Sequence, residues 1–311
     1  MMKNRNKMNK KLIALPLIAA LLLILTAATW KGEHFPGKDG NIYGETIHCN
    51  YDKIVLIIAG SGPTDRNGNT PILKGRNDSL KLLAEELEKK GISTFRYDKR
   101  TAGISRKSYL NHDIRFDDFI SDAISAVEYL KEEGYEKIYL LGHSQGSLIA
   151  FEAACELEVD GLISVCGPSE SIDAVLEKQL GNAFKQDSIE IKVINNLREE
   201  KITTEGVENI PMFNVENQKF LLSWIEYSPV ESIKDVNCPL ILIGGTMDSQ
   251  VSTEDIEKLL IANPESDSMV IHGMNHVLKV VSSEKEDIKT YTDPSYPVSK
   301  ELIQAVARFV E

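Results

Sequence analysis

No two of the four cysteines, Cys49, Cys155, Cys166 and Cys238, stand close enough to form a Cys-x-x-Cys pair. That excludes the usual sequence signature of a zinc site and gives no dense disulfide framework, so buried free thiols are the expectation. Positive charge is also short. Only 35 Lys and Arg stand against 47 Asp and Glu, a formal net charge of −12, and no face of cations is evident that could neutralise phosphates. Nucleic acid is thereby excluded as a partner, while the charge suits solubility outside the cell or at a polar surface. Internal repeats and low-complexity tracts are missing.

Long uncharged runs are scarce, with one exception at the amino terminus. Leu12 to Thr29 holds 18 residues without a charge, and Lys3, Arg5, Lys7, Lys10 and Lys11 precede it. This pattern predicts an export or anchoring signal over residues 1–31: an N-terminal hydrophobic helix just long enough to span a bilayer, its basic end in the cytoplasm and the rest of the chain outside. A retained membrane anchor and a cleaved signal peptide, with Thr26-Ala27-Ala28 as the small-residue site, both remain open. No cysteine follows the run, so attachment through a lipidated Cys is not expected.

The remainder, residues 32–311, has the makings of one large domain, since the chain's 42% hydrophobic and 26% charged residues are those of an ordinary globular protein. Gly32 to Gly40 reads as a linker and Ile42 to Cys49 as a short hairpin or edge strand. Ile54 to Ile58 is a continuous apolar run ending in Gly60-Ser61-Gly62-Pro63, which suits a strand buried on both faces. Asn77-Asp78-Ser79 can cap a helix from Leu80 to Lys90 that Gly91 ends. Strand Ile92 to Tyr97, helix Phe116 to Glu132, strand Lys137 to Leu141 and strand Val159 to Val165 follow. About seventy residues, 167–237, then break the rhythm with helices and polar connections that read as a cap. Pro239 to Gly244 resumes the sheet, followed by helix Thr253 to Ala262, strand Ser268 to His272 and helix Ser299 to Val310. Strands alternating with helices predict an α/β fold, a doubly wound and mostly parallel sheet with a helical insertion.

Gly142-His143-Ser144-Gln145-Gly146 follows the apolar run Ile138 to Leu141 and opens the helix-like stretch Ser147 to Leu157. A Gly-x-Ser-x-Gly between strand and helix reads as a nucleophile elbow, because small flanking residues let a tight turn lift the serine hydroxyl out of the sheet. A serine needs a base to take its proton and an acid to orient that base. Ligands of such sheets gather beyond the strands' carboxyl ends. Asp248 follows the strand at Leu240 to Ile243, and His276 follows the one at Ser268 to His272. Asp255, in the first turn of a helix, and Asp267, at the wrong end of its strand, are the competing acids. His272 is the competing base. His143 is expected to serve the turn by packing and hydrogen bonding, and His34, His48 and His112 carry no signal.

The order Ser, Asp, His is that of the α/β-hydrolases. With Gly60-Ser61-Gly62-Pro63-Thr64-Asp65-Arg66, Arg96-Tyr97-Asp98-Lys99-Arg100, the elbow, Gly245-Thr246-Met247-Asp248 and Gly273-Met274-Asn275-His276, the chain resembles that superfamily. Within it, the resemblance is to bacterial serine carboxylesterases near the dienelactone-hydrolase-like and serine-aminopeptidase-like branches. It implies Ser144 as nucleophile, Asp248 as acid and His276 as base, with the backbone N–H groups of Ser61 and Gln145 as oxyanion donors and no metal or organic cofactor. Asp65-Arg66 and Asp98-Lys99-Arg100 are expected to order two loops by ion pairing; an Arg66 that reached the pocket would favour a carboxylate-bearing substrate. Thr101 departs from the family's Arg-Gly-x-Gly-x-Ser, which puts that loop's geometry in doubt.

Phe213, Phe220, Leu221, Leu222, Trp224 and Tyr227 should pack the cap, some of them walling a pocket. The resulting expectation is an extracytoplasmic hydrolase of small-molecule esters with short to medium acyl chains. An aminopeptidase-like amide hydrolase using Glu199, Glu200, Glu205, Glu208 or Glu216 to hold a free amine, an acyltransferase or thioesterase on the same triad, and a non-catalytic surface protein are the alternatives.

Overall fold

Among the described residues the chain forms eight strands: β1 (Glu33–Gly37), β2 (Gly40–Ile47), β3 (Lys53–Ile58), β4 (Ser93–Tyr97), β5 (Lys137–His143), β6 (Gly161–Val165), β7 (Leu240–Gly245) and β8 (Asp267–Ile271). In the computed structural model they form one sheet in the order β1-β2-β4-β3-β5-β6-β7-β8. β2 pairs antiparallel with β4, and every pairing from β4 to β8 is parallel. The structure describes residues 33–181 and 187–311. The chain divides into residues 1–33 and 34–311, and apart from Glu33 the description concerns the second unit. The anchor or signal segment at 1–31 lies outside the described residues. Among those described, no helix is long and apolar enough to cross a membrane.

Parallel strands need crossovers, which here are helices. In chain order they are α1 (Ser79–Glu88), α2 (Phe116–Glu132), α3 (Gln145–Glu156), α4 (Ile172–Gly181), α5 (Ile189–Arg198), α6 (Val215–Ile225), α7 (Pro229–Ser232), α8 (Thr253–Ala262), α9 (Glu284–Thr290) and α10 (Lys300–Phe309). Alternation along β3 divides the core. Ile54, Leu56 and Ile58 join Phe116 and Phe119 of α2 and Leu148 of α3, whereas Val55 and Ile57 join Leu80 and Leu83 of α1 and Leu302 and Val306 of α10. Ile54 to Ile58, buried on both faces of the sheet, are thus apolar without a break. Between β6 and β7 lies the helical insertion, α4 to α7. It is fixed to the main body by Trp224, stacked on Phe116 at 5.3 Å, by Phe220 against Phe119 at 5.5 Å, and by the Phe116 N–H donating to Ser223 Oγ at 2.9 Å.

Three expectations need correction. The segment read as a linker contains β1, because Phe35 is buried against Phe95 and Tyr97, with ring centroids 5.9 and 5.7 Å away. At the start of α1, Asp78 sits at φ 49° without capping the helix; Asn77 Oδ1 takes the Ser79 N–H at 2.8 Å instead, while Asp78 Oδ1 accepts from Asn69 and Arg76. Of the four free cysteines only Cys166 is buried; Cys49 and Cys155 are exposed and Cys238 lies between.

Candidate active site

β5 delivers Ser144 into a turn that ordinary backbone avoids, at φ 55° and ψ −121°. Such a conformation costs on the order of 1–3 kcal/mol and persists only where its surroundings over-determine it. Here they do. The Ser144 N–H donates to Val165 O at 2.9 Å. A Cβ at Gly142 would lie 2.3 Å from Gly146 O, and one at Gly146 would lie 2.2 Å from Ile58 O, so strand and helix meet only because both flanks are glycine. Ser144 is left partly accessible at the rim of the sheet.

Asp248 and His276 come to the same rim from the loops after β7 and β8. The Asp248 carboxylate accepts the N–H groups of Gln250 and Val251 on Oδ1, at 2.8 and 2.9 Å, and the Nδ1–H of His276 on Oδ2 at 2.8 Å. Burial pushes its pKa up, but the facing imidazole and these donors outweigh that and hold it below the ordinary carboxylate value. With Nδ1 protonated, the Nε2 lone pair of His276 is free to accept a proton. The loop itself is anchored from α9, since buried Asn275 donates through Nδ2 to Asp287 Oδ1 and Thr290 Oγ1, each at 2.7 Å. His143 serves the turn as expected: its Nε2–H donates to the His276 carbonyl at 2.8 Å, and burial together with the nearby His276 pushes its pKa down to about 3. Cys166 Sγ lies within 4.8 Å of ligand atoms of Asp248 and His276. These three could surround a cation, but burial first and the Asp248 carboxylate second push the thiol well above its usual pKa, a poor ligand at neutral pH.

The competitors fall away. His272 is exposed, Asp267 begins β8 at the opposite edge, and Asp255 closes a capping box with Ser252 while accepting from the Ser169 N–H and Oγ at 2.9 and 2.7 Å.

The N–H of Gln145, the first residue of α3, belongs to the turn that has no intrahelical acceptor. The Gly60-Ser61 loop runs alongside, with the Cβ position of Gly60 only 3.2 Å from Ser144 Cβ. Beneath both sits Lys99, whose Nζ donates to Gly60 O and to Gln145 Oε1, the latter at 2.8 Å. Burial pushes its pKa down to about 7. Its neighbours behave as ion-pairing residues: Arg66 binds Asp98 through Nε and Nη2 at 3.1 and 2.8 Å, and Arg100 binds Asp122 at 2.7 Å and Asp118 at 3.1 Å. Arg66 therefore does not reach the pocket. The Thr101 departure leaves the loop intact because Gly103 is retained, at φ 48°, where a Cβ would lie 2.0 Å from Asp98 Oδ2.

A cavity of about 1880 Å³ is lined by Ser61, Ser144, Gln145 and His276 and walled by the insertion. Phe220, Leu221, Leu222 and Trp224 reach it; Phe213 is buried elsewhere, and Tyr227 packs on Phe116 at 5.0 Å. Sequence reasoning missed Lys99, Asn275 and Cys166.

The family model described as Serine aminopeptidase, S33 matches residues 74–201, which include Ser144. Esterase EstD of Thermotoga maritima is 28% identical over 267 residues, covering 82% of this chain but only 61% of EstD, so the match leaves over a third of that relative unaccounted for. An acyl transferase of Photobacterium leiognathi is 25% identical over 80% of this chain and 78% of its own length. Two solved structures share the fold. Est1E from Butyrivibrio proteoclasticus has a TM-score of 0.58 at 16% identity over 89% of this chain and 96% of its own, and the Pyrococcus furiosus esterase Pf2001 a TM-score of 0.59 at 18% over 91% and 90%. The strained serine between strand and helix and the Asp–His pair at the adjoining strand ends thus sit on the fold that these solved structures share, that of the α/β-hydrolases, and the chain is similar over most of its length to an esterase and an acyl transferase.

Proposed function

We propose that the protein hydrolyses carboxylic esters through an acyl-Ser144 intermediate. The observation that carries this is the 2.8 Å bond between His276 Nδ1 and Asp248 Oδ2 at the cavity that Ser144 also lines. Ser144 Oγ bonds to the carbonyl carbon as its proton passes to His276 Nε2, and the carbonyl electron pair moves onto oxygen, facing the N–H groups of Ser61 and Gln145. Collapse breaks the C–O bond, and the alcohol leaves with that proton. Water, deprotonated by His276, then releases the acid and restores the serine.

Leu148, Leu176, Phe220 and Leu221 on the cavity wall support an apolar acyl group. Short to medium chains are the preferred substrates, since nothing in the sequence resembles a long lipid-binding face. In this reading the insertion acts as a cap. The basic segment and uncharged run of residues 3–29 support an extracytoplasmic placement, through a retained anchor or after cleavage. A fluorophosphonate probe should label the wild type and not Ser144→Ala, and a panel of nitrophenyl esters should show activity falling at long acyl lengths. An unlabelled wild type would end the proposal.

Glu170, Glu200 and Glu216 on the cavity lining favour one second reading, an aminopeptidase that holds a free amine. Faster release of amino-acid arylamides than of nitrophenyl esters would select it.

A further inference from the structure

Lys99 is 1% exposed, yet among the described residues no carboxylate pairs with its ammonium, and burial alone governs its pKa. A buried cation without an anion is expensive, and an apolar side chain of similar length would remove that cost. Asp98 and Arg100, on either side, are each satisfied by a buried ion pair. The lysine therefore calls for an explanation that its neighbours do not.

Its two acceptors supply one. Gly60 O belongs to the same planar peptide as the Ser61 N–H, and in a trans peptide the two point in opposite directions. Drawing the carbonyl down to Lys99 turns the N–H away from it, and Ser61 lines the cavity whereas Lys99 does not. The second acceptor is the side chain of Gln145, whose own N–H opens α3 beside Ser144. Gln145 Nε2 is buried without a partner among the described residues, so Lys99 is the bond that orients this amide. The Phe119 ring lies 5.1 Å from Nζ.

We propose that Lys99 is a positioning residue of the oxyanion hole: its ammonium clamps the Gly60–Ser61 peptide and the Gln145 side chain together, aims both backbone N–H groups at the reacting carbonyl oxygen and sets a positive charge behind them. The lysine touches no substrate. Because negative charge appears on that oxygen only as Ser144 adds, the clamp acts on the transition state and not on binding. A donor bond from a charged group to a peptide carbonyl also polarises that peptide, strengthening its N–H as a donor. The proposal rests on the serine-hydrolase reading above.

The test compares wild type, Lys99→Met, Lys99→Gln and Ser144→Ala on 4-nitrophenyl butyrate, alongside binding of an alkyl trifluoromethyl ketone, which adds to Ser144 and places an oxyanion in the hole. Lys99→Met should lower kcat by about 10- to 100-fold with KM unchanged and weaken the ketone by the same factor. Lys99→Gln, which keeps one N–H donor for Gly60 O, should recover part of both. A kcat within about threefold of wild type in folded Lys99→Met, or a loss confined to KM, would overturn the clamp while leaving the hydrolase reading standing. Wild type that neither turns over esters nor takes a fluorophosphonate on Ser144 would instead overturn the hydrolase reading, and the clamp with it. Should neither lysine variant fold, Gln145→Met decides: it removes one acceptor, keeps the backbone N–H and should lower kcat by about 3- to 10-fold at constant KM, and an unchanged kcat would overturn the clamp.

Discussion

The carboxyl edge of the sheet and the helical insertion above it meet across one cavity but are held by different physics. At the edge, position is set by backbone: a serine at φ 55°, glycines whose missing Cβ lets β5, α3 and β3 touch, and a carboxylate caught by two N–H groups and an imidazole. In the insertion, position is set by side-chain packing, as in the Trp224–Phe116 stack, and by ion pairs at the surface such as Arg198 with Asp173 and Glu177. The first arrangement tolerates almost no change. The second can exchange one apolar group for another and keep its shape. In the proposed reading, the reaction falls to the edge and the choice of substrate to the insertion.

That division can be broken in four ways, in decreasing size of effect. Asp248→Asn should lower kcat by about 10³- to 10⁴-fold with KM nearly unchanged in steady-state kinetics, because the imidazole loses the partner that fixes its tautomer. Gly146→Ala should destabilise the fold by about 3 kcal/mol or more in urea titrations, since its Cβ would meet Ile58 O at 2.2 Å, a backbone atom with little room to yield. In the insertion, Trp224→Ala should cost about 3 kcal/mol of stability and raise KM for the longer esters while leaving kcat for the shortest nearly intact, a split that no edge substitution should reproduce. The smallest effect is electrostatic. His143 has its folded pKa depressed to about 3, so between that value and the ordinary imidazole pKa the unfolded chain binds more protons than the native one, and stability rises with pH through this window. Going from pH 7 down to pH 5.5 should cost about 1 kcal/mol, and His143→Asn should flatten the slope.

Legibility in the sequence follows the same line. The elbow could be read because its constraint is local, two glycines flanking one serine between an apolar run and a helix. Asp248 and His276 could be read because strand ends carry the ligands in such sheets. Strand β1 reads as a linker because the Gly, Lys and Asp around it hide one residue, Phe35, whose burial depends on rings sixty and more positions away. Lys99 reads as one of the ion-pairing residues around it, since nothing local separates a lysine that meets a carboxylate from one that meets a peptide carbonyl. Asn275 and α9 went unread for a related reason: a side-chain bond to a helix that packs only in the folded chain leaves no periodic trace.

The proposed reaction turns on Ser144 and His276 working as one proton-transfer unit. The direct measurement is kcat/KM for Ser144→Ala, His276→Ala and the double variant on one short nitrophenyl ester. Equal losses in all three, each about 10⁴-fold or more, are predicted, since removing either member of a unit removes the whole. Losses that multiply in the double variant would show two groups acting separately and would contradict the shared site described above.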